Sequence, residues 1–252
     1  MMKLIINCGG AEGYIDRCIA SIRSQSIVDW EAYVTVDPCG DGTYRQAIET
    51  REDDARIDIH QNGIRQFSML NLVRGIQRSR AAPEDVIVIL DGDDWFATNE
   101  ALRIIQDTYE RTDCWMTYGS WLSDRAQMYG QWPAYTVNTT DFRNHEWRGT
   151  AVRTWKRWLW DLIDDRDFRD ADGNYFRVTE DQATMLPMLE MSGTGRAIHI
   201  PEVLMIYNRS SQHACVYTCR DEMFANADYL KTRQPYARLT EKPALRLGSK
   251  VL

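Results

Sequence analysis

The stretch that decides the fold is DVIVILDGDDW, residues 85–95. Its first half is a continuous aliphatic run, which is typical of a strand buried on both faces of a parallel sheet. Its second half crowds Asp91, Asp93 and Asp94 together, although like charges repel and carboxylates are costly to bury. A buried strand that ends in clustered acids predicts an α/β fold with a polar site at that strand's carboxyl end.

Strands and helices alternate on the amino-terminal side of this stretch. The apolar spacing predicts strands within residues 3–7, 31–37 and 53–62, and helices over 12–25 and 67–80. Such alternation produces βαβ units. We therefore expect an open, mostly parallel sheet with helices on both faces.

The carboxyl-terminal half is less regular. The sequence WKRWLWDLI, residues 155–163, predicts an amphipathic helix, and residues 197–209 predict a late strand or strand pair. A further helix is expected to begin at Thr179 as N-cap, with Gln182 at the capping-box position. Pro187 should end or kink that helix.

Composition excludes some classes of protein. The 252 residues carry a net charge of −7, with acidic and basic residues interspersed, so no basic stripe suits duplex nucleic acid. The amino terminus is too short and too polar in its apolar run for a signal peptide or a membrane span. The six cysteines are scattered without a Cys-x-x-Cys pair, which favours free thiols in a reducing compartment. We expect a cytoplasmic protein.

Three loops that follow predicted strands are candidates for a ligand site, since ligands of open α/β sheets bind beyond the carboxyl ends of strands. They are NCGGAEG (7–13), DPCGDGT (37–43) and DGDDW (91–95). Clustered aspartates suit Mg²⁺ or Mn²⁺, but a solvated acidic turn is the competing interpretation. No Gly-x-Gly-x-x-Gly or Gly-Lys-Ser/Thr motif is present, so neither a dinucleotide fold nor a P-loop is supported.

Six segments follow one another along the chain: IINCGGAEGYIDRCIASIRSQ, WEAYVTVDPCGDGT, QNG, VIVILDGDDW, TEDQ and IPEVLMIYNRSSQH. As an ordered set, they resemble family 2 glycosyltransferases of the GT-A fold, which are inverting enzymes. The resemblance implies one domain over 1–230 and a basic, irregular tail at 231–252. Within the domain, about 1–100 would form a Rossmann-like nucleotide-binding half and about 101–230 an acceptor-binding half.

The resemblance also assigns roles to residues. Asp37 would bind the base, Asp91 would lie near the ribose, and Asp93 would ligate the metal that bridges the diphosphate. Asp94 would support them. The full set of expected nucleotide-sugar contacts is Asn7, Gly9, Glu12, Asp37, Asn71, Asp91 and Gly92.

The catalytic and remaining metal positions lie in the second half. Asp181 would be the general base, and its pairing with Glu180 matches the family's later acidic pair. First-turn acids stabilised by a helix dipole are the competing interpretation. His213 is a candidate metal ligand, with an ordinary loop histidine as the alternative.

Two departures from the family pattern affect the donor site. The usual Pro-x-Tyr-Asn is replaced by Asn7-Cys8-Gly9-Gly10, which removes the tyrosine expected against the base. The usual Ala-Arg-Asn reads Met69-Leu70-Asn71, so an arginine contact has to come from elsewhere, with Arg65 as candidate.

The tryptophans divide into two groups. Trp95, Trp121 and Trp147 could line an acceptor groove, because aromatic faces pack against sugar rings. The second group is expected to lie in the core or in an interface and comprises Trp155, Trp158 and Trp160.

The predicted reaction moves a sugar from a nucleotide diphosphate, first of all UDP, to a hydroxyl with Mn²⁺ or Mg²⁺ as cofactor. The acceptor stays open among a glycan, a lipid-linked sugar, a protein, a small molecule and a modified base, and the oligomeric state is also open. A lipid-linked acceptor would require peripheral membrane contact, for which the tail from Lys231 is a candidate. The alternatives are an Mg²⁺-dependent nucleotidyltransferase, which would want a basic amino-terminal loop, and a catalytically silent carbohydrate- or sugar-nucleotide-binding protein.

Overall fold

A computed structural model describes residues 1–125, 129–130, 133–210 and 218–244, with only the backbone at 129–130. It has the predicted α/β class, with a sheet between two layers of helices. The strands are β1 (Met2–Cys8), β2 (Trp30–Val36), β3 (Ile57–Gln61), β4 (Val86–Asp91), β5 (Trp95–Phe96), β6 (Met116–Ser123), β7 (Tyr129–Gly130), β8 (Arg153–Lys156) and β9 (Ala197–Tyr207). The α-helices are α1 (Ile15–Arg23), α2 (Thr43–Arg51), α3 (Phe67–Arg78), α4 (Ala101–Arg111), α5 (Arg157–Asp161), α6 (Glu180–Arg196) and α7 (Arg220–Thr232), and Asp165–Phe168 form a 3-10 turn.

The strand order is β3-β2-β1-β4-β8-β6-β9-β5, with β7 paired to β6. The first four strands of this order are parallel, which puts their carboxyl ends at one edge. Strand β8 then runs antiparallel between β4 and β6, so its beginning lies at that same edge. Residues from both halves of the chain therefore meet where β4 ends.

Each face of the sheet has its own hydrophobic core. Helices α1, α2 and α4 pack on one face, and α3, α5 and α6 on the other. The prediction of helices on both faces is confirmed. Trp155, Trp158 and Trp160 are buried in the second core, as expected from their sequence context.

Two predictions for the second half are wrong. Residues 155–163 are not one helix. Trp155 lies in β8 and pairs with Ile87 of β4, and only the short α5 follows. Helix α6 runs past Pro187, and its non-helical residue is Gly193, with φ +56°. The segment 183–193 is buried throughout, so tertiary packing holds the helix where local preference would break it.

Thr179 precedes α6 as predicted, but in a left-handed conformation (φ 71°) and without a side-chain capping hydrogen bond. At the other end of the chain, the described part of the segment after α7 packs against the domain. Tyr236 N–H donates to Glu190 and Leu239 N–H to the Met191 carbonyl, both at 2.9 Å. Within the described residues, no helix combines the length and apolar character needed to cross a membrane.

Candidate active site

The site begins where β1 and β4 end side by side, with Asn7 opposite Asp91. The Gly92 N–H donates to the Asn7 carbonyl at 2.9 Å, which extends the pairing into the turn. A Cβ at Gly92 would lie 2.2 Å from Cys8 Cβ, so any larger residue would push the two loops apart. The predicted contacts Asn7, Gly92 and Asp91 are thus brought together.

The aspartates after β4 lie in different environments. The Asp91 side chain is 42% exposed. Partial loss of its water contacts raises the pKa of Asp91 to about 7, and the nearby Arg153 opposes this increase. Asp94 is fully buried, and its Oδ1 accepts the Asn208 N–H at 2.8 Å. Burial and the charges of Asp93 and Asp91 raise the pKa of Asp94 well above its usual range. The cluster therefore carries more negative charge than its surroundings offset.

The carboxylate oxygens of this cluster fit a hard divalent cation that takes few protein ligands. In the part of the chain that the structure describes, no group of three or more His, Cys, Asp or Glu side chains could hold a metal ion. Mg²⁺ usually needs only one or two carboxylates and completes its shell with water and substrate phosphates. Half-buried Asp93 is suited to that role, while the candidate ligand His213 lies outside the described residues.

Asp37 lies at the other end of the site and is already occupied by the protein's own donors. Its carboxylate accepts hydrogen bonds from Asn62 Nδ2 (2.8 Å), Gln66 N (3.0 Å) and Phe67 N (2.8 Å). It thus satisfies backbone donors at the start of α3, where helices leave N–H groups unpaired. Asn62 Nδ2 also donates to Asn71 Oδ1 at 2.8 Å, which places buried Asn71 behind Asp37.

The first loop packs against the second. Glu12 Oε2 accepts the Gly42 N–H at 2.9 Å, and a Cβ at Gly9 would lie 3.3 Å from Asp37 Cβ. Asn7 Nδ2 donates to the Ser68 carbonyl at 3.3 Å. Its buried Oδ1 has no partner among the described residues, which leaves an acceptor for a ligand donor.

The Glu180–Asp181 pair opens α6 and is held near α3. Ser68 Oγ donates to the Arg177 carbonyl at 3.0 Å, which ties the segment before the pair to the helix that Asp37 caps. Burial and the charge of Glu180 raise the pKa of Asp181, whereas Arg153 and a hydrogen bond from Trp147 lower it.

Arg153 joins the two acidic groups, and sequence reasoning missed it. Its side chain is only 9% exposed and lies 3.8 Å from Asp91 Oδ2 and 3.5 Å from Glu180 Oε1. The only sequence signal was a lone arginine just before the tryptophan-rich stretch. The wrong helix prediction there concealed a strand beside β4.

The remaining predicted aromatic and basic candidates have mixed placements. Trp147 reaches Asp181. Trp121 packs on Tyr207, with ring centroids 4.9 Å apart, and Trp95 lies under the Arg17 guanidinium. Arg65 lies over the ring of Phe67 at 4.8 Å, and the Phe67 N–H donates to Asp37.

A cavity in the described part of the chain lies away from this site. It has a volume of about 1030 Å³ and lies between residues 157–168 and 229–236. None of the predicted site residues lines it. Its acids and arginines largely pair with each other, as in Arg233–Asp167 at 2.6 Å, which marks it as the junction with the carboxyl-terminal segment.

Solved structures share this fold. S. aureus TarS 1–349 in complex with UDP-GlcNAc matches with TM-score 0.64 and 15% identity, over 91% of this chain and 66% of that one. The mannosyltransferase PcManGT from Pyrobaculum calidifontis, in complex with GDP-Man and Mn²⁺, matches with TM-score 0.62 and 15% identity, over 90% and 64%. Glucosyl-3-phosphoglycerate synthase from Mycobacterium tuberculosis, with Mn²⁺, UDP and phosphoglyceric acid, matches with TM-score 0.55 and 12% identity, over 90% and 78%.

The chain spans about 60% of the TarS 1–349 chain solved in complex with UDP. No curated protein sequence matches it. The likenesses to solved structures establish the GT-A fold, as the sequence resemblance implied. The sequence profile described as glycosyl transferase family 2 matches residues 4–173, and the chain belongs to that family.

Proposed function

We propose that this glycosyltransferase is an inverting, metal-dependent enzyme that moves a sugar from a nucleotide diphosphate to an acceptor hydroxyl. The observation that carries the proposal is the meeting of two acidic groups at one edge of the sheet. The donor-side turn 91–94 and the acceptor-side pair Glu180–Asp181 are bridged by Arg153. UDP-sugars are the first donors to test, since TarS is described in complex with UDP-GlcNAc.

In the proposed reaction Asp181 accepts the proton of the acceptor hydroxyl as that oxygen bonds to the anomeric carbon. A hydroxyl is a weak nucleophile, so a carboxylate within hydrogen-bonding reach contributes about 10²–10⁴-fold. Attack from the side opposite the departing diphosphate inverts the anomeric centre. Trp147, which hydrogen-bonds Asp181, helps to keep that carboxylate ionised.

At the donor end, Asp37 would meet the base while it holds α3 in place, and Asn7 would offer its unpaired Oδ1 to the nucleotide. Asp93 would hold the divalent cation, which supplies positive charge to the leaving diphosphate when bound. Asp94 fixes the turn that carries Asp93 by binding the Asn208 N–H.

The deciding experiment incubates the protein with a panel of UDP-, GDP- and other nucleotide sugars and Mn²⁺ or Mg²⁺. Slow donor hydrolysis and the shift in melting temperature are measured together. We expect at least one donor to be bound and hydrolysed only with metal, and Asp93→Ala to lose metal-dependent binding. Binding without hydrolysis or transfer would indicate a silent sugar-nucleotide-binding protein. No binding at all would contradict the proposal.

A further inference from the structure

Arg153 is a buried cation at the place where the two halves of the proposed site meet. It begins β8 and lies opposite Ile89 of β4, two residues before Asp91. Burying a guanidinium is costly unless ionised partners surround it. Here the partners are the carboxylates Asp91 and Glu180, at 3.8 and 3.5 Å.

These two partners belong to different tasks of the proposed reaction. Asp91 closes the strand that leads into the donor-side turn, and Glu180 is the first residue of α6 and directly precedes Asp181. One guanidinium can donate to two carboxylates at once because its five N–H groups form a rigid, planar fork. A lysine in its place would offer a single point charge.

We propose that Arg153 is a positioning residue that fixes the donor-side Asp91 and the acceptor-side Glu180 in one cluster and so sets where Asp181 meets the acceptor. The inference rests on the proposed function for its catalytic meaning. Its structural content, that Arg153 governs the environment of Asp181, can be measured without any substrate.

The charges around Asp181 predict the direction in which its pKa should change in each variant. On its own helix Glu180 raises the pKa of Asp181, while Arg153 from β8 and Trp147 from the loop before it lower that pKa. On β4, Asp91 is a further like charge close to the same group. Removing Arg153 should therefore make Asp181 easier to protonate, and removing Glu180 should make it harder.

The test compares Arg153→Met, Arg153→Lys and Glu180→Gln with the unchanged protein. Arg143→Lys is the matched control, because Arg143 also pairs with a buried glutamate, Glu190, at 2.5 Å. Carboxyl-selective ¹³C NMR follows the Asp181 titration without ligand or metal. Calorimetry with UDP and Mn²⁺ measures donor-side binding, and kcat and KM are measured against pH with whichever nucleotide sugar the panel identifies.

We expect Arg153→Met to raise the titration midpoint of Asp181, and Glu180→Gln to lower it. The acidic limb of kcat should move in the same directions. For Arg153→Met we expect kcat to fall about 10- to 100-fold while UDP affinity changes less than about threefold, and Arg153→Lys should recover part of the loss. Arg143→Lys should lower the stability of the protein but leave unchanged both the titration midpoint of Asp181 and the acidic limb of kcat.

An Asp181 titration that is the same in Arg153→Met and Arg153→Lys as in the unchanged protein would overturn the inference. So would a loss confined to UDP affinity or to stability, as in Arg143→Lys. If Arg153→Met fails to fold, the comparison of Arg153→Lys with Glu180→Gln decides, since the two should shift the titration in opposite directions. If the titration moves as expected but no donor is bound or hydrolysed, the inference stands and the proposed function falls.

Discussion

The two ends of the site neutralise negative charge in opposite ways. At the proposed base end a single carboxylate, Asp37, accepts three hydrogen bonds from the chain itself. At the proposed sugar end Asp91 lies among Asp93, Asp94, Glu180 and Asp181, and the pKa values of Asp91, Asp94 and Asp181 are all raised. The proposed base end is complete as folded, whereas the proposed sugar end holds more acidic groups than Arg153 alone offsets.

The largest expected effect lies at the sugar end. Asp181→Asn keeps the shape of the side chain but cannot accept the acceptor's proton. We expect kcat to fall by about 10²–10⁴-fold, with donor affinity retained, because Asp181 is proposed to act only as the reaction proceeds. Steady-state kinetics and calorimetry with the donor check this, and full activity in Asp181→Asn would remove this residue as the base.

At the base end, substitutions of Asp37 should lower the stability of the folded protein. Asp37→Ala leaves the Asn62 amide and the Gln66 and Phe67 N–H groups without their acceptor. We expect a loss of about 2–4 kcal/mol in the free energy of unfolding, measured by urea denaturation without ligand. Asp37→Asn keeps one acceptor oxygen and should lose less. Unchanged stability in both variants would mean that Asp37 does not hold the start of α3.

The matched change at the sugar end should have the opposite sign. Asp94→Asn keeps an oxygen for the Asn208 N–H and removes one of the crowded charges. In EDTA at neutral pH we expect the free energy of unfolding to rise by about 1 kcal/mol, because burial of that charge is no longer opposed by its neighbours. A loss as large as that of Asp37→Asn would contradict the contrast between the two ends.

The smallest expected effect concerns the donor. The sugar would lie among Asp91, Glu180 and Asp181, which outnumber Arg153, so a carboxylated sugar should be repelled. We expect UDP-glucuronic acid to bind about three- to fivefold more weakly than UDP-glucose, a modest effect because the site is partly solvated. Competition calorimetry at two salt concentrations measures it, and a preference for the uronate would show that Arg153 faces the sugar.

Sequence reasoning located the parallel half because its signals are local. Aliphatic runs predict the strands β1, β2 and β4, and apolar residues at helical spacing predict α1 and α3. The same signals located the turn at 91–94 and the start of α6. Helices α2 and α4 were not predicted. In α2 only Thr43 and Ala47 are buried, so its apolar pattern is weak, whereas the apolar face of α4 is present in the sequence and was missed.

The rest depended on contacts between distant residues. Strand β8 is only four residues long, and pairing with β4 overrides the helical spacing that Trp155 shares with Trp158. Arg153 carries no motif; its role follows from being placed beside Asp91 by that pairing. Likewise, the hydrogen bonds from the Gln66 and Phe67 N–H groups to Asp37 occur with Phe67 in a left-handed conformation (φ 62°), for which the sequence carries no signal.

The docking of the carboxyl-terminal segment on α6 has a practical consequence. The Tyr236 and Leu239 N–H groups bond to Glu190 and Met191, in the helix that begins with Glu180 and Asp181. A fluorophore attached within residues 233–244 would therefore be mounted on the element that carries the proposed base. Its emission could report shifts of that helix when donor or acceptor arrives, from a position well away from the reacting atoms.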